Sequence, residues 1–268
     1  MTLDYFDTND VSHLVEELFL LRFDEDDTPF KSTILPICHI AITFIYNDSQ
    51  SIIFNGHKTT ISGLVITGQF YQSYEFIVKK SGFSCGFCFH PTTLYNFTGL
   101  NASKLKNKHL PLIEFSQELH DVFNPIFLNH KNDIPKLTKS LKQTLLSLPI
   151  KDDPIVDQID NALNLIHNQD GLLNTYELLD AVNFSQKTLE TNFKKIVGLT
   201  PGKYIRLYRF LKLMRKYESK EIKLRDLMYM YNYYDHSHFA KDFKHFMKQS
   251  PKDYFKNEHP FLNRYLNK

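Results

Sequence analysis

The chain has no tryptophan and only three cysteines, Cys38, Cys85 and Cys88. An odd, sparse set of thiols excludes a secreted scaffold stapled by disulfides. The acidic start shows no basic-then-apolar leader, so a reducing cytoplasm is the expected compartment. Long hydrophobic runs are also missing. The longest, from Ile34 to Tyr46, is broken by Pro36, His39 and Thr43 and is shorter than the roughly 20 residues that cross a bilayer. The chain is therefore expected to be soluble, with no membrane partner. What it does have is 42% apolar and 14% aromatic residues, the latter all Tyr and Phe, which excludes disorder. At 268 residues it is long enough for two domains and two cores.

A net charge of +2 hides an uneven distribution. Residues 155–268 hold 19 basic and 13 acidic side chains, whereas residues 1–154 hold 13 and 17. The stretch Thr191 to Tyr217 carries Lys194, Lys195, Lys203, Arg206, Arg209, Lys212, Arg215 and Lys216 with no acid. Such a run is either a solvated helix face or a surface for phosphates.

Residues 33–90 read as short strands: 33–46, 51–54, 63–67, 74–78 and 83–89. They are β-branched and aromatic, and polar or Gly-containing segments such as Asn47-Asp48-Ser49 and Asn55-Gly56-His57 separate them. This predicts an antiparallel sheet or small barrel. After Pro111 the apolar spacing becomes helical over 112–128 and 134–148, with Leu137, Leu141, Leu145 and Leu148 on one stripe. Asp152-Asp153-Pro154 then marks the start of a further helix. The expected domains are a β-rich part at 1–111, a helical connector at 112–151 and an all-α part at 152–268.

Within the last part a pattern recurs at an offset of 50 residues. Leu189, Phe193, Lys194, Pro201 and Tyr204 are answered by Phe239, Phe243, Lys244, Pro251 and Tyr254. Residues four apart share a helix face, and Thr200-Pro201 and Ser250-Pro251 each open a new helix. Ahead of each copy lies a shorter helix, Tyr176 to Val182 or Leu224 to Tyr231. Asn183 and Asn232 sit in the turns that follow, where a left-handed backbone is expected, and Ser185 and Asp235 or Ser237 are candidate caps. Two helix-turn-helix units result. The helix between them puts Tyr204, Leu207, Tyr208, Leu211 and Met214 on one face and Arg206, Arg209 and Lys216 on the other.

The stretch from Asn183 to Pro201 with Tyr204 and Arg209, and that from Asn232 to Lys244 with Ser250-Pro251 and Tyr254, resemble the AraC/XylS family DNA-binding domain. The departures are Asn183 and Asn232 where that family usually has Gly, and Thr191 and Lys241 where it often has Arg. The resemblance implies a bacterial transcription factor of α+β class, with an antiparallel N-terminal domain and an all-α bipartite domain whose two recognition helices enter successive major grooves. By position it implies that Lys187, Glu190, Thr191, His236, Ala240 and Lys241 face bases. Ser185, Lys194, Lys195, Ser237, Lys244 and Lys248 would then meet phosphates. The chemistry permits both roles. Double-stranded DNA and RNA polymerase are the implied partners, with a small-molecule effector and a homodimer open.

Leu35-Pro36, the strand from Ile40 to Tyr46, Ile66 to Phe70 and Gly86 to Pro91 are similar to a cupin-like domain of unknown function found ahead of AraC-type modules. His39, His57 and His90 lack the spacing of a metal-binding cupin, so neither metal nor cofactor is expected. Cys85 and Cys88 fall in a strand that points them in different directions, which favours a structural role over redox chemistry. No cluster of titratable groups suggests an enzyme. Two regulator readings remain open: an N-terminal domain that senses a ligand or partner, or one that only mediates protein contacts.

Overall fold

The computed structural model describes residues 1–219, 222–257, 259, 261, 262 and 265. Among them are eight strands: β1 (Thr2–Phe6), β2 (Val15–Phe23), β3 (Phe30–Ile34), β4 (Ala41–Phe54), β5 (His57–Thr67), β6 (Tyr74–Val78), β7 (Gly82–Phe89) and β8 (His109–Pro111). Their pairing is antiparallel throughout, in the order β1-β2-β7-β4-β5-β8. The 14-residue strand β4 serves two neighbours. Its first half, Ala41 to Ile45, pairs with β7, and Gln50 to Ile53 pair with β6, which in turn holds β3. The register against β5 shifts between Ile45 and Gln50. Such an irregularity bends a strand, and here it curls the sheet into a half-barrel.

Three strand expectations need correction. Residues 33–46 are not one strand, because the pairing of β3 ends at Ile34, ahead of Pro36, and β4 begins only at Ala41. Asn47-Asp48-Ser49 is not a turn but lies inside β4, at the register shift. β1 and β2 precede every expected strand; the β2 sequence Val15-Glu-Glu-Leu-Phe-Leu-Leu-Arg-Phe23 fits neither strand nor helix period cleanly.

Helix α1 (Thr93–Thr98) follows β7, and the expected helix at 112–128 is two, α2 (Leu112–Phe115) and α3 (Gln117–Asn129). The break is at Ser116, whose hydroxyl accepts from the Leu119 N–H and so starts a new helix. With α4 (Ile134–Ser147), α3 covers one face of the sheet. Leu119, Phe123, Phe127, Leu137, Leu141 and Leu145 pack there with Ile42, Phe44, Cys85 and Phe87. Tyr46 donates from its hydroxyl to the Phe127 carbonyl at 2.9 Å.

The remaining helices are α5 (Pro154–Asn168), α6 (Thr175–Leu179), α7 (Gln186–Val197), α8 (Pro201–Glu218), α9 (Leu224–Met230), α10 (His236–Met247) and α11 (Pro251–Tyr254). The sequence suggests one core per domain, but the sheet itself is the divide. A second cluster starts on the opposite sheet face at Phe23, Phe76 and Val78 and includes Ile159, Phe193, Leu207, Phe210 and Phe243. The physical reason is that the sheet has two apolar faces and its own helices cover one.

Specific contacts fix the two parts together. The Ser73 N–H donates to the Phe246 carbonyl at 2.7 Å, and Thr92 Oγ1 donates to Asp160 Oδ1 at 3.0 Å. Gln69 donates its amide to the Val197 carbonyl. Next to Val197, Gly198 ends α7 at φ 104°, and a Cβ there would collide with the Gln69 amide. Glycine is needed at that point for both conformation and approach.

Candidate nucleic-acid interface

Helix α7 begins at Ser185, which accepts from the Thr188 N–H at 3.2 Å. Leu189, Phe193, Ile196 and Val197 bury one face, leaving Lys187, Thr191 and Lys194 exposed and Glu190 half-buried. Two of these have settled partners. Thr191 donates its hydroxyl to the Lys187 carbonyl at 2.8 Å, so it offers its methyl outward, and Glu190 accepts from Gln186 Nε2 at 3.0 Å. Thr191 therefore suits a thymine methyl better than a polar base edge.

Helix α10 is capped by Asp235 rather than Ser237: the Asp235 carboxylate accepts from the His238 N–H at 2.7 Å. His236, Ser237, Lys241, Lys244 and Lys248 are exposed, Ala240 is half-buried, and Phe239, Phe243, Phe246 and Met247 face inward. The turn before α10 uses Asn232 at φ 55°, as expected. Asn183 does not match: its φ is not positive, and its N–H donates to Gln158 Oε1 at 2.8 Å. Left-handed residues of the first unit are instead Asp170 and Gly171, between α5 and α6, and Gly198 at the end of α7. Gly171 lets that turn lie close against the α8 backbone at Ile205 and Arg209.

The basic run is not an open positive stripe. Asp242, buried on α10, takes Arg206 in an ion pair and lies 3.8 Å from Arg209. It also accepts from the Tyr233 hydroxyl at 3.2 Å. Asp170 holds Lys212 at 3.2 Å and Lys216 at 3.6 Å and accepts from the Tyr231 hydroxyl at 3.3 Å. Half of the run's eight cations thus tie α8 to the two units. A single carboxylate between Lys241 and Phe243 gives no periodic signal; the hint in the sequence is only that an acid-free basic helix must find its counter-charges elsewhere. Lys195 is also engaged, donating to the Tyr95 hydroxyl of α1 at 3.0 Å. It lies 5.0 Å from that ring's centre.

Residues 178–257 match the family model of a helix-turn-helix domain, and residues 7–111 match a domain of unknown function (DUF6597). The chain carries an AraC-type helix-turn-helix domain. Among similar proteins is the HTH-type transcriptional activator RhaS of Escherichia coli O1:K1 / APEC, 25% identical over 142 residues, which are 49% of this chain and 51% of that protein. RhaS of Escherichia coli K12 / DH10B matches equally. The chain thus spans about half the length of the curated relatives it matches. Among solved structures, an apo ToxT variant from Vibrio cholerae strain SCE256 is 14% identical at a TM-score of 0.48, over 89% of this chain and 97% of that one. Unsaturated fatty acid bound wild-type ToxT from the same strain is 14% identical at 0.45, over 88% and 92%.

A second feature lies within the half-barrel, a cavity of about 150 Å³. Tyr5, Ile45, Gln50, Tyr74, His109 and Phe261 are among its walls. His109 Nδ1 lies 2.8 Å from Thr67 Oγ1, and burial pushes its pKa down to about 3, so the ring is neutral. His39, also in the wall, is pushed down to about 4 by burial and by Arg215. Cys85 and Cys88 point to opposite sides of β7: Cys85 lies in the cluster under α3 and α4, Cys88 on the cavity. Burial raises both thiols, Cys85 to about 12. Among the described residues no group of three His, Cys, Asp or Glu could hold a metal ion, and no helix is long and apolar enough to cross a membrane.

Proposed function

We propose that this chain is a sequence-specific DNA-binding regulator of transcription that sets α7 and α10 into successive major grooves, about 34 Å apart on one side of a duplex. The observation that carries this reading is the mooring of both units to one linker helix, by Asp170 in the turn before α6 for the first unit and by Asp242 on α10 for the second. Fixed spacing of that kind favours one DNA register and raises specificity without new base contacts.

On this reading Lys187, Glu190 and Thr191 meet bases from α7, and His236, Ala240 and Lys241 from α10. Ser185, Lys194, Ser237, Lys244 and Lys248 position the backbone, and Lys195 joins them by leaving Tyr95. The functional parts are residues 1–111 for sensing or oligomerisation, 112–151 for connection and 152–268 for DNA. A small-molecule effector in the half-barrel is favoured over an N-terminal domain that makes only protein contacts, because the cavity is there to receive one. RNA polymerase and a second copy of the chain are the further partners of such a regulator, in the cytoplasm of a bacterium.

Selection of bound sequences by the full-length protein from a randomised duplex pool tests the reading. A motif with two blocks one helical turn apart supports it. Enrichment of a single block, or of none, overturns it.

A further inference from the structure

The cavity of the half-barrel has a wall that the β domain does not supply. Phe261 and Tyr265, beyond the second helix-turn-helix unit, line it together with strand residues. The Phe261 ring lies 5.7 Å from that of Phe30 on β3 and 6.5 Å from that of Phe76 on β6. Leu262 is fully buried in the cluster that contains the core of both units. The segment is also tied to the DNA-binding part. His259 stacks on Tyr254 at 4.0 Å and donates from Nε2 to its carbonyl at 3.0 Å, and the Tyr254 hydroxyl donates to Glu218 of α8 at 3.0 Å. A continuous set of contacts therefore runs from the cavity to the linker helix.

The lining states what the cavity accepts. Most of it is aliphatic or aromatic, and among the described residues it contains no Lys or Arg. An anion would lose its hydration there with no counter-charge to replace it and would face Glu17, and a cation would find only Glu17, whose carboxylate already accepts from Cys88 Sγ. Two polar atoms are left over. Gln50 is 2% exposed, and its Nε2 has no hydrogen-bond partner; neither has His109 Nε2. A buried donor without an acceptor is costly, so an acceptor on a guest is favoured at Gln50. A volume of about 150 Å³ holds about one six-membered ring.

We infer that the cavity takes an uncharged, mainly apolar molecule of about one ring bearing a hydrogen-bond acceptor that meets Gln50, and that Phe261 and Tyr265 transmit its presence to the DNA-binding units. This rests on the reading of the chain as a DNA-binding regulator and names the ligand class and the route of control. The ligand gives the buried Gln50 amide a partner and packs against Phe261 and Tyr265 of the C-terminal segment. Occupancy and DNA affinity are then linked, and the linkage is reciprocal.

Three probes of one size test this with the full-length protein: acetophenone, benzoate and benzylammonium, each titrated calorimetrically at pH 7. Acetophenone is expected to bind at least ten-fold tighter than either ion, and Gln50→Leu to weaken it by about five-fold. Equal or tighter binding of benzoate or benzylammonium overturns the ligand class, as does no binding of any probe; this comparison needs no variant to fold. Saturating acetophenone should change DNA affinity at least three-fold in the wild type and leave it unchanged in Phe261→Ala. No change in the wild type, or the same change in Phe261→Ala, overturns the route. A protein that binds acetophenone selectively but no DNA at all refutes the regulator reading and leaves the ligand class standing.

Discussion

Asp242 on the buried side of α10 faces Arg206 of α8, with the guanidinium Nε donating to Oδ1 at 3.0 Å. The carboxylate is 4% exposed and the guanidinium 40%, so one partner is dry and the other is half in water. The guanidinium also lies 5.4 Å from the centre of the Phe246 ring, which holds it in place between the two helices. The second recognition helix is thereby set against the linker by charge as well as by apolar packing.

Removing that charge gives the first prediction. Asp242→Asn leaves Arg206 and Arg209 without their counter-charge but keeps the side-chain volume. The loss should be about 2–3 kcal/mol, between the limits for exposed and buried ion pairs. Urea unfolding of the full-length protein measures it. An unchanged midpoint with an unchanged slope would show that the pair does not stabilise the fold. DNA affinity should fall as well, because α10 loses its fixed angle to α8.

How much of this was legible in the sequence depends on range. The 50-residue repeat exposed Leu189, Phe193, Phe239 and Phe243 as core and Ser185 as a cap, because helix periods and caps are local. Asn232 followed the same logic and its left-handed φ was found. Asn183 did not, because that turn satisfies its N–H from Gln158, 25 residues away. The ion pairs of Asp170 and Asp242 are equally non-local, so the basic run looked open when half of it was closed. The cavity was invisible for the same reason: its walls come from all eight strands and from residues 261 and 265, which only the folded chain brings together.

Buried histidines make stability depend on pH. Burial lowers His109 to about 3 and lowers His39 and His167 to about 4, all from an ordinary 6.5. The folded protein keeps these rings neutral, whereas the unfolded chain protonates them below pH 6.5. Stability from this source is therefore complete above about pH 7 and is lost as pH falls from 6.5 toward 4. Each ring contributes about 1.4 kcal/mol per pH unit within that window. Unfolding midpoints at pH 7.5 and 5.5 check the direction, and His109→Gln should flatten the dependence. Stability that rises on acidification to pH 5.5 would contradict the burial of all three.

The last prediction separates reading from positioning on α10. Lys241 and Lys244 are both exposed, three residues apart on the outward side of a helix whose inward side is filled by Phe239, Phe243 and Phe246. If α10 enters a major groove, Lys241 donates to a base edge while Lys244, nearer the helix C-terminus, neutralises a phosphate. Lys241→Ala should cost about 1–3 kcal/mol on the preferred site and relax the preference at one base position. Lys244→Ala should weaken every sequence alike and make the salt dependence shallower by about one unit of slope. Lysine lacks the planar fork of arginine, so Lys241→Arg should sharpen the preference for guanine at that position. Binding profiles over a randomised site at two salt concentrations distinguish the roles. Uniform losses for both alanine variants, with the preference intact, would make Lys241 a second phosphate contact and leave base reading on α10 to His236 and Ala240.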